Sequence, residues 1–225
     1  VWINFIKQDR SMKDIAIFGA GGFGKEVACL IRTINKDNPQ WNLIGFFDDG
    51  IEIGTPVSHF GNVIGGVKQL NEYKGQIAVA MAIGNAITIK KILSKITKED
   101  IEYPNLIHPN FDVTDPETFH IGKGNIIQRH CTATCDTEVG DFNIFNGTVC
   151  MGHDVKIGSF NTFMPLVRVS GEVIVGDENF FGIASIILQQ IKVGSGIRLG
   201  AASVLMTKPK KGYLYIGNPA RKTEL

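Results

Sequence analysis

Stepping by six from Ile121, the chain meets Ile121, Ile127, Ala133, Val139, Phe145, Met151, Ile157, Phe163, Val169, Val175, Phe181, Ile187, Val193, Leu199 and Leu205, every one apolar. Four places after each comes a residue that is usually small, from Asn125, Cys131 and Thr137 through to Ser203. A period of eighteen overlies the six, marked by Ile121-Gly122, Val139-Gly140, Ile157-Gly158, Val175-Gly176 and Val193-Gly194. An amphipathic helix needs apolar residues three and four apart and a half-buried strand needs them two apart, so a strict six fits neither as one long element. It predicts a coil of three short strands, a parallel β-solenoid in which places one and five of each hexad point inward. Successive coils then stack at about 4.8 Å, the spacing of paired strands. Asn125, Asn143, Asn161 and Asn179 fall eighteen apart and form an inward amide ladder in this register. Periodicity does not give the hand of the coil, and ordinary parallel crossovers are right-handed.

The chain before the repeat has a different rhythm. An apolar run, Ile15 to Phe18, leads into Gly19-Ala-Gly21-Gly22-Phe23-Gly24 and then a helical pattern carrying Val27, Leu30, Ile31 and Ile34. Glycines at 19, 21 and 24 have the spacing that lets a phosphate approach a helix N-terminus, although the same glycines also suit close strand-to-helix packing. A second strand, Leu43 to Phe47, ends at Asp48-Asp49, where a ribose or base could be hydrogen-bonded. Val63 to Gly66 precedes a short helix, Ile77 to Ile83 reads as a buried strand, and Gly84-Asn85 opens a helix from Ala86 to Ile96. This alternation predicts a small parallel sheet, a Rossmann-like α/β domain over residues 12–110, with the solenoid over residues 111–225. Residues 1–11 lack the order of a secretion signal, and Met12 looks like the natural start, so they are set aside as a leader or expression-derived segment.

Composition narrows the partners. With 225 residues, 44% of them hydrophobic, the chain can bury two cores. A net charge of +1 and the lack of a basic run give no argument for nucleic acid or an anionic membrane. No apolar run has the length of a membrane span. Cys29, Cys131, Cys135 and Cys150 show no metal-type spacing, so no metal is expected, and free thiols fit a reducing cytoplasm.

The ordered set Gly19 to Gly24, Phe47-Asp48-Asp49, Ile64-Gly65-Gly66, Ala82 to Asn85, Leu106 to Pro109, Gly152-His153-Asp154 and Gly217 to Arg221, joined to a hexapeptide repeat, resembles the bacterial sugar O- and N-acetyltransferases. The resemblance runs from about Lys13 to Arg221. It implies a left-handed β-helix, a homotrimer, acetyl-CoA as co-substrate and a nucleotide-sugar held by the first domain. The residues matching that binding role are Gly19, Gly21, Gly22, Phe23, Asp48, Asp49, Gly84 and Asn85. The resemblance also implies that His153 is the base and Asp154 its acidic partner. Independently, His153 falls at the third place of its hexad, a corner or outward position, so its imidazole is not core filler. Neighbouring side chains on a regular strand point apart, so pairing of His153 with Asp154 needs a corner conformation or an acid from another chain. His130 is the competitor, also outward but without an adjacent acid.

For acetyl-CoA the resemblance points to backbone groups on successive coils. Gly171 lies eighteen residues after His153 and can offer its N–H to the thioester carbonyl, while Gly182, Gly200 and Ala201 let pantetheine lie flat. The competing reading is that these glycines make tight corners. Lys208, Lys210, Lys211 and Arg221 could meet the CoA phosphates or simply form a solvated tail. Many relatives carry histidine at the place of Phe23, and several carry one at the place of Thr162. Those departures leave open an amine or a hydroxyl acceptor, and an alternative in which the chain is a catalytically inactive sugar-nucleotide-binding or scaffold homologue. A nicotinamide oxidoreductase is a third class, suggested by the glycine loop alone.

Overall fold

Apolar alternation in the first hundred residues becomes a five-stranded, all-parallel sheet. The computed structural model describes residues 12–223, so the proposed leader lies outside the described residues. Strands β1 (Lys13–Phe18), β2 (Trp41–Phe47), β3 (Val63–Gly65), β4 (Ile77–Met81) and β5 (Ile101–Glu102) lie in the order β3-β2-β1-β4-β5. Helices α1 (Gly22–Asp37), α2 (Val67–Glu72) and α3 (Ala86–Leu93) connect them. The inner strands are buried on both faces, with Ile15, Ala16, Ile17 and Val79 at 0% exposure, as a sheet covered by helices requires. Strand order reverses between β1 and β4, so the loops after these two strands part and leave a crevice at their carboxyl ends.

The hexads fold as read. Their paired strands stack in three flat faces of a left-handed prism, eighteen residues to a coil. Face A runs from Leu106–Ile107 through Ile144–Phe145 and Thr162–Phe163 to a closing hairpin at Leu214–Gly217 and Ala220–Thr223. Face B carries Thr132–Ala133, Cys150–Met151, Arg168–Val169 and Ile186–Ile187. Face C carries Thr137–Val139, Lys156–Ile157 and Ile174–Val175. Inside, Phe145, Phe163 and Phe181 stack with ring centroids 4.8 and 4.7 Å apart, the coil spacing expected of paired strands. Cys131 fills a small inward place, where burial pushes its thiol up to about 11.

The amide ladder is present and longer than the repeat suggests. Asn143 Nδ2 donates to Asn125 Oδ1 at 3.1 Å, Asn161 Nδ2 to Asn143 Oδ1 at 3.0 Å, and Asn179 Nδ2 to Asn161 Oδ1 at 2.9 Å. It begins one rung earlier, where Asn105 Oδ1 accepts from Asn125 Nδ2 at 3.1 Å, and ends on the Ile197 N–H at 2.7 Å. The four rungs from Asn125 to Asn179 are buried and paired, and Asn105 above them is half-buried, so the ladder adds register without leaving an orphaned amide. Solenoid pairing starts at Leu106–Ile107, inside the span that the strand and helix pattern assigned to the first domain.

The corners obey a rule that the apolar pattern does not show. Every sixth residue from Gly124 to Ala202 has φ between 51° and 70°, and apart from Gly124 and Gly196 none of them is glycine. A left-handed residue at the fourth place of each hexad is what turns the chain from one face to the next. Face A is covered by the first domain: Ile126 and Leu106 join the core beneath α1, while Phe142 packs with Val67 and Ile89. Thr162 Oγ1 donates to the Gly84 carbonyl at 3.1 Å, and Lys90 pairs with Glu178 at 2.6 Å, so the crevice loop after β4 is fixed against the solenoid.

Candidate active site

His153 and Asp154 occupy the third and fourth hexad places on the corner between faces B and C. Asp154 is the left-handed residue of that corner, with φ 56°, and this bend turns its carboxylate to the same side as the imidazole. His153 Nδ1 lies 2.7 Å from Asp154 Oδ2, which answers the pairing question raised by the sequence: the corner conformation makes the contact within one chain. The backbone holds the pair between coils, with Asp154 N–H donating to Cys135 O at 3.0 Å and Glu172 N–H donating to His153 O at 2.8 Å. Both side chains stay about half exposed, at 50% and 58%. A carboxylate on Nδ1 favours the tautomer with its proton there and leaves Nε2 able to accept one.

One coil further on, Gly171 lies under this imidazole. A Cβ on Gly171 would overlap His153 Nε2 and stand 2.6 Å from Cε1, so glycine is required there by the ring rather than by the backbone. Gly171, Gly182 and Gly200 do not have left-handed φ, and the tight-corner reading of these glycines is therefore set aside. They permit close stacking: a Cβ on Gly182 would stand 2.6 Å from Ala201 N, and one on Gly200 2.8 Å from Ile216 Cγ1. Gly182, Gly200 and Ala201 belong to the corner between faces A and B, so within one chain they do not line up with His153 and Gly171. His130 also sits on the A–B corner, at the left-handed fourth place with φ 59°. The next residue, Cys131, points into the core, so the successor of His130 cannot orient it as Asp154 does His153.

The crevice of the first domain divides the glycine loop in two. Gly19, at φ 112°, and Gly24 are packing glycines: a Cβ on Gly19 would stand 2.6 Å from Ala82 O, and one on Gly24 would overlap the Gly19 carbonyl. Gly21, Gly22 and Gly84 have ordinary φ, and a Cβ on any of them would meet no atom within 4 Å. Nothing in the fold asks for glycine at these three places, which leaves bare backbone around an open space. The carboxylates have internal duties. Asp48 Oδ2 accepts from Ala20 N–H at 2.9 Å and its Oδ1 from Gly50 N–H at 2.9 Å, while Asp49 Oδ1 accepts from Val67 N–H at 2.8 Å. Asn85 caps α3 through Oδ1 on Thr88 N–H at 3.0 Å.

Between α1 and face A the crevice opens into a cavity of about 260 Å³, walled by Phe23, Ile144, Met164 and Phe180 and edged by Gly84 and Thr162. A neighbouring cavity of about 480 Å³ continues along the A–B corner, and both are lined by Glu26 and Asn146. Sequence reasoning missed these two residues. Glu26 looks like any exposed helix residue, and Asn146 stands at a second hexad place that elsewhere on this corner is Gln128, Met164 or Gly182.

Residues 14–96 match the family model described as the PglD N-terminal domain. The acetyltransferase domain of PglB from Neisseria gonorrhoeae, solved with acetyl coenzyme A, is 28% identical over 95% of this chain and 100% of its own, with a TM-score of 0.84. Over nearly its whole length the chain is similar to this sugar-acetyltransferase domain in sequence and in fold. WeeI from Acinetobacter baumannii is similar to this chain at 26% identity, covering 95% of it and 100% of WeeI, with a TM-score of 0.82. PerB from Caulobacter crescentus, solved with CoA and GDP-perosamine, shares the fold at 22% identity, 95% and 99% coverage and a TM-score of 0.81. No curated protein matches the chain. Among the described residues, no helix is long and apolar enough to cross a membrane, and no three His, Cys, Asp or Glu side chains gather as metal ligands.

Proposed function

We propose that the chain moves an acetyl group from acetyl-CoA to an amine or hydroxyl of a nucleotide-linked sugar, in the cytoplasm, as a step in building a surface glycan. The observation that carries this reading is the His153 Nδ1 to Asp154 Oδ2 contact at 2.7 Å, with the imidazole seated on Gly171. In the proposed reaction Nε2 takes a proton from the acceptor as its lone pair attacks the thioester carbonyl carbon. The carbonyl oxygen becomes an oxyanion, for which the Gly171 N–H is the proposed donor, having no hydrogen-bond partner among the described residues. Collapse breaks the C–S bond, and the imidazolium returns the proton to the CoA sulfur. Asp154 holds the imidazole orientation and stabilises its charged form.

The proposed enzyme is a homotrimer packed through face B. In a triangular prism the B–C corner lies opposite face A, so one chain cannot bring His153 to its own crevice. Face C bears His120, Glu138, Lys156 and Lys192 outward, with one exposed apolar side chain, Ile174, among them, and face A is covered by the first domain. The upper coils of face B bear Cys150, Ile186 and Val204, with Arg168 between them turned onto the Thr148 carbonyl, and are flanked by Leu166, Ile183, Leu188 and Met206 at 38–47% exposure, a largely apolar strip suited to another copy. Threefold packing through that face sets the A–B corner of each chain against the B–C corner of the next. It unites Gly182, Gly200 and Ala201 with His153 and Gly171 across a groove for acetyl-CoA, and brings His153 toward a neighbour's crevice.

The test is release of CoA thiol from acetyl-CoA in the presence of UDP-, GDP- and CMP-linked sugars. The reading expects acetyl transfer to at least one, abolished in His153→Ala. Transfer to none, with the sugars bound and acetyl-CoA intact, would favour the inactive homologue.

A further inference from the structure

The cavity of about 480 Å³ is polarised along its length. On one side it follows a stripe of α1 from Glu26 through Leu30 to Thr33, a run of about 10 Å. On the other it passes Asn146, Gln128 and His108, each one coil earlier than the last. Glu26 and Asn146 are shared with the crevice cavity and stand at the mouth, whereas Gln128, Arg129 and His108 line only the far end. That far end holds donors without acceptors. Arg129 makes no hydrogen bond or ion pair among the described residues, and Glu26 does not reach it. Gln128 Nε2 is buried with no partner among the described residues, and the broad torsion of a glutamine amide lets it turn toward the cavity. His108 Nδ1 accepts from the Asn110 N–H at 3.0 Å, which puts the proton of the neutral ring on Nε2 and makes it another donor. Burial and the charges of His130 and Arg129 hold His108 below the usual imidazole range, so the neutral tautomer prevails near pH 7. The Thr33 hydroxyl is spent on the Cys29 carbonyl at 3.0 Å.

We infer that this far end is an anion subsite, in which Arg129 pairs with a carboxylate or phosphoryl group while Gln128 and His108 donate to it, and that the acceptor sugar carries that group as an acidic substituent. The guanidinium fork suits a planar or tetrahedral oxyanion, and a charge-assisted pair gains most where one wall is apolar and no internal carboxylate competes. The acceptor half of the inference rests on the function proposed above. In that threefold packing, residues of equal height meet, because rotation about an axis carries no translation along it. His153 of a neighbouring chain then stands level with Asn146 and Gly147, one coil from Gln128. The reacting end of the sugar and its acid are thus separated along the prism by about 4.8 Å, comparable with the width of one sugar ring.

The experiment is calorimetric titration of the full chain with nucleotide-sugar pairs that differ only in an acid, UDP-glucuronate with UDP-glucose and GDP-mannuronate with GDP-mannose, and with inorganic phosphate alone. Wild type should bind the acid member of a pair at least about tenfold more tightly, and Arg129→Gln should lose ~10- to 100-fold for that member while changing the neutral one less than about twofold. Arg129→Lys should recover part of the loss, and Gln128→Leu should lower the acid preference by roughly three- to tenfold. Arg129 is exposed, so its variants should melt as wild type does. No acid preference in wild type, or one that Arg129→Gln leaves intact, overturns the inference without touching acetyl transfer. Phosphate binding that depends on Arg129, without any acid preference, overturns the assignment to a sugar acid in favour of a free anion. Asp136 of a neighbouring chain comes to the height of Arg129 in the same packing; trimers lost in both Arg129→Gln and Asp136→Asn, with acid preference unchanged, would make that carboxylate the partner and overturn the inference. If neither member of either pair binds, the nucleotide-sugar reading falls and the acceptor half with it.

Discussion

Two histidines sit on two corners of the same prism, and the hexad place decides which of them has a carboxylate beside it. His153 is at the third place, so the left-handed fourth residue, Asp154, swings beside it and reaches Nδ1 at 2.7 Å. His130 is itself the left-handed residue, and its neighbour at the fifth place, Cys131, is wholly buried. A histidine at the fourth place can never have its successor as an orienting acid, because the fifth place points into the core. The floor beneath the two corners differs as well. Gly171, one coil past His153, is where its ring rests, whereas a Cβ on Gly147, one coil past Arg129, would meet Arg129 O and Cγ at ordinary contact distances of 3.5 and 3.9 Å. A glycine on one corner is thus a seat for the imidazole, and its counterpart on the other is incidental.

The largest way to break this contrast is His153→Ala, expected to lower turnover by about 10²–10⁴ with acetyl-CoA affinity kept, as stopped-flow transfer and calorimetric titration would show. Next is Gly171→Ala, whose methyl displaces the ring; turnover should fall roughly 100-fold with a melting temperature close to wild type, since a misplaced base costs about that much. Asp154→Asn keeps a residue type that tolerates left-handed φ and still bonds Nδ1, so steady-state assays should show a loss of only about tenfold from altered tautomer and charge. Smallest of all are His130→Ala and Gly147→Ala, expected within about twofold of wild type in the same assay.

The hexad count placed every inward residue from Ile121 to Leu205, because a six-residue period with no insertion leaves no freedom of register. The earlier coil was hidden: face-to-face spacing from Leu106 to Ile126 is twenty residues rather than eighteen, and the loop around Asp115, which accepts from Thr118 Oγ1 at 2.9 Å, absorbs the excess. His153 and Asp154 were legible as a motif, but their contact was not, since it depends on a backbone φ that aspartate does not announce. The glycine loop was half legible. Spacing identifies it, yet only the surroundings separate Gly19 and Gly24, which pack, from Gly21 and Gly22, which face open space. Glu26 and Asn146 come from a helix and a solenoid corner more than a hundred residues apart, and only the docking of the first domain on face A joins them.

The most direct test of His153 as the proton acceptor is rescue of His153→Ala by added imidazole, followed as acetyl transfer at saturating acetyl-CoA. The account predicts that turnover climbs with the concentration of neutral imidazole, that added imidazole does nothing for His130→Ala beyond its wild-type rate, and that the double change His153→Ala with Gly171→Ala is rescued poorly because the seat is filled. Unrescued His153→Ala that still binds both substrates and melts as wild type does, or a His130→Ala enzyme that is dead and regains activity with imidazole, would contradict it.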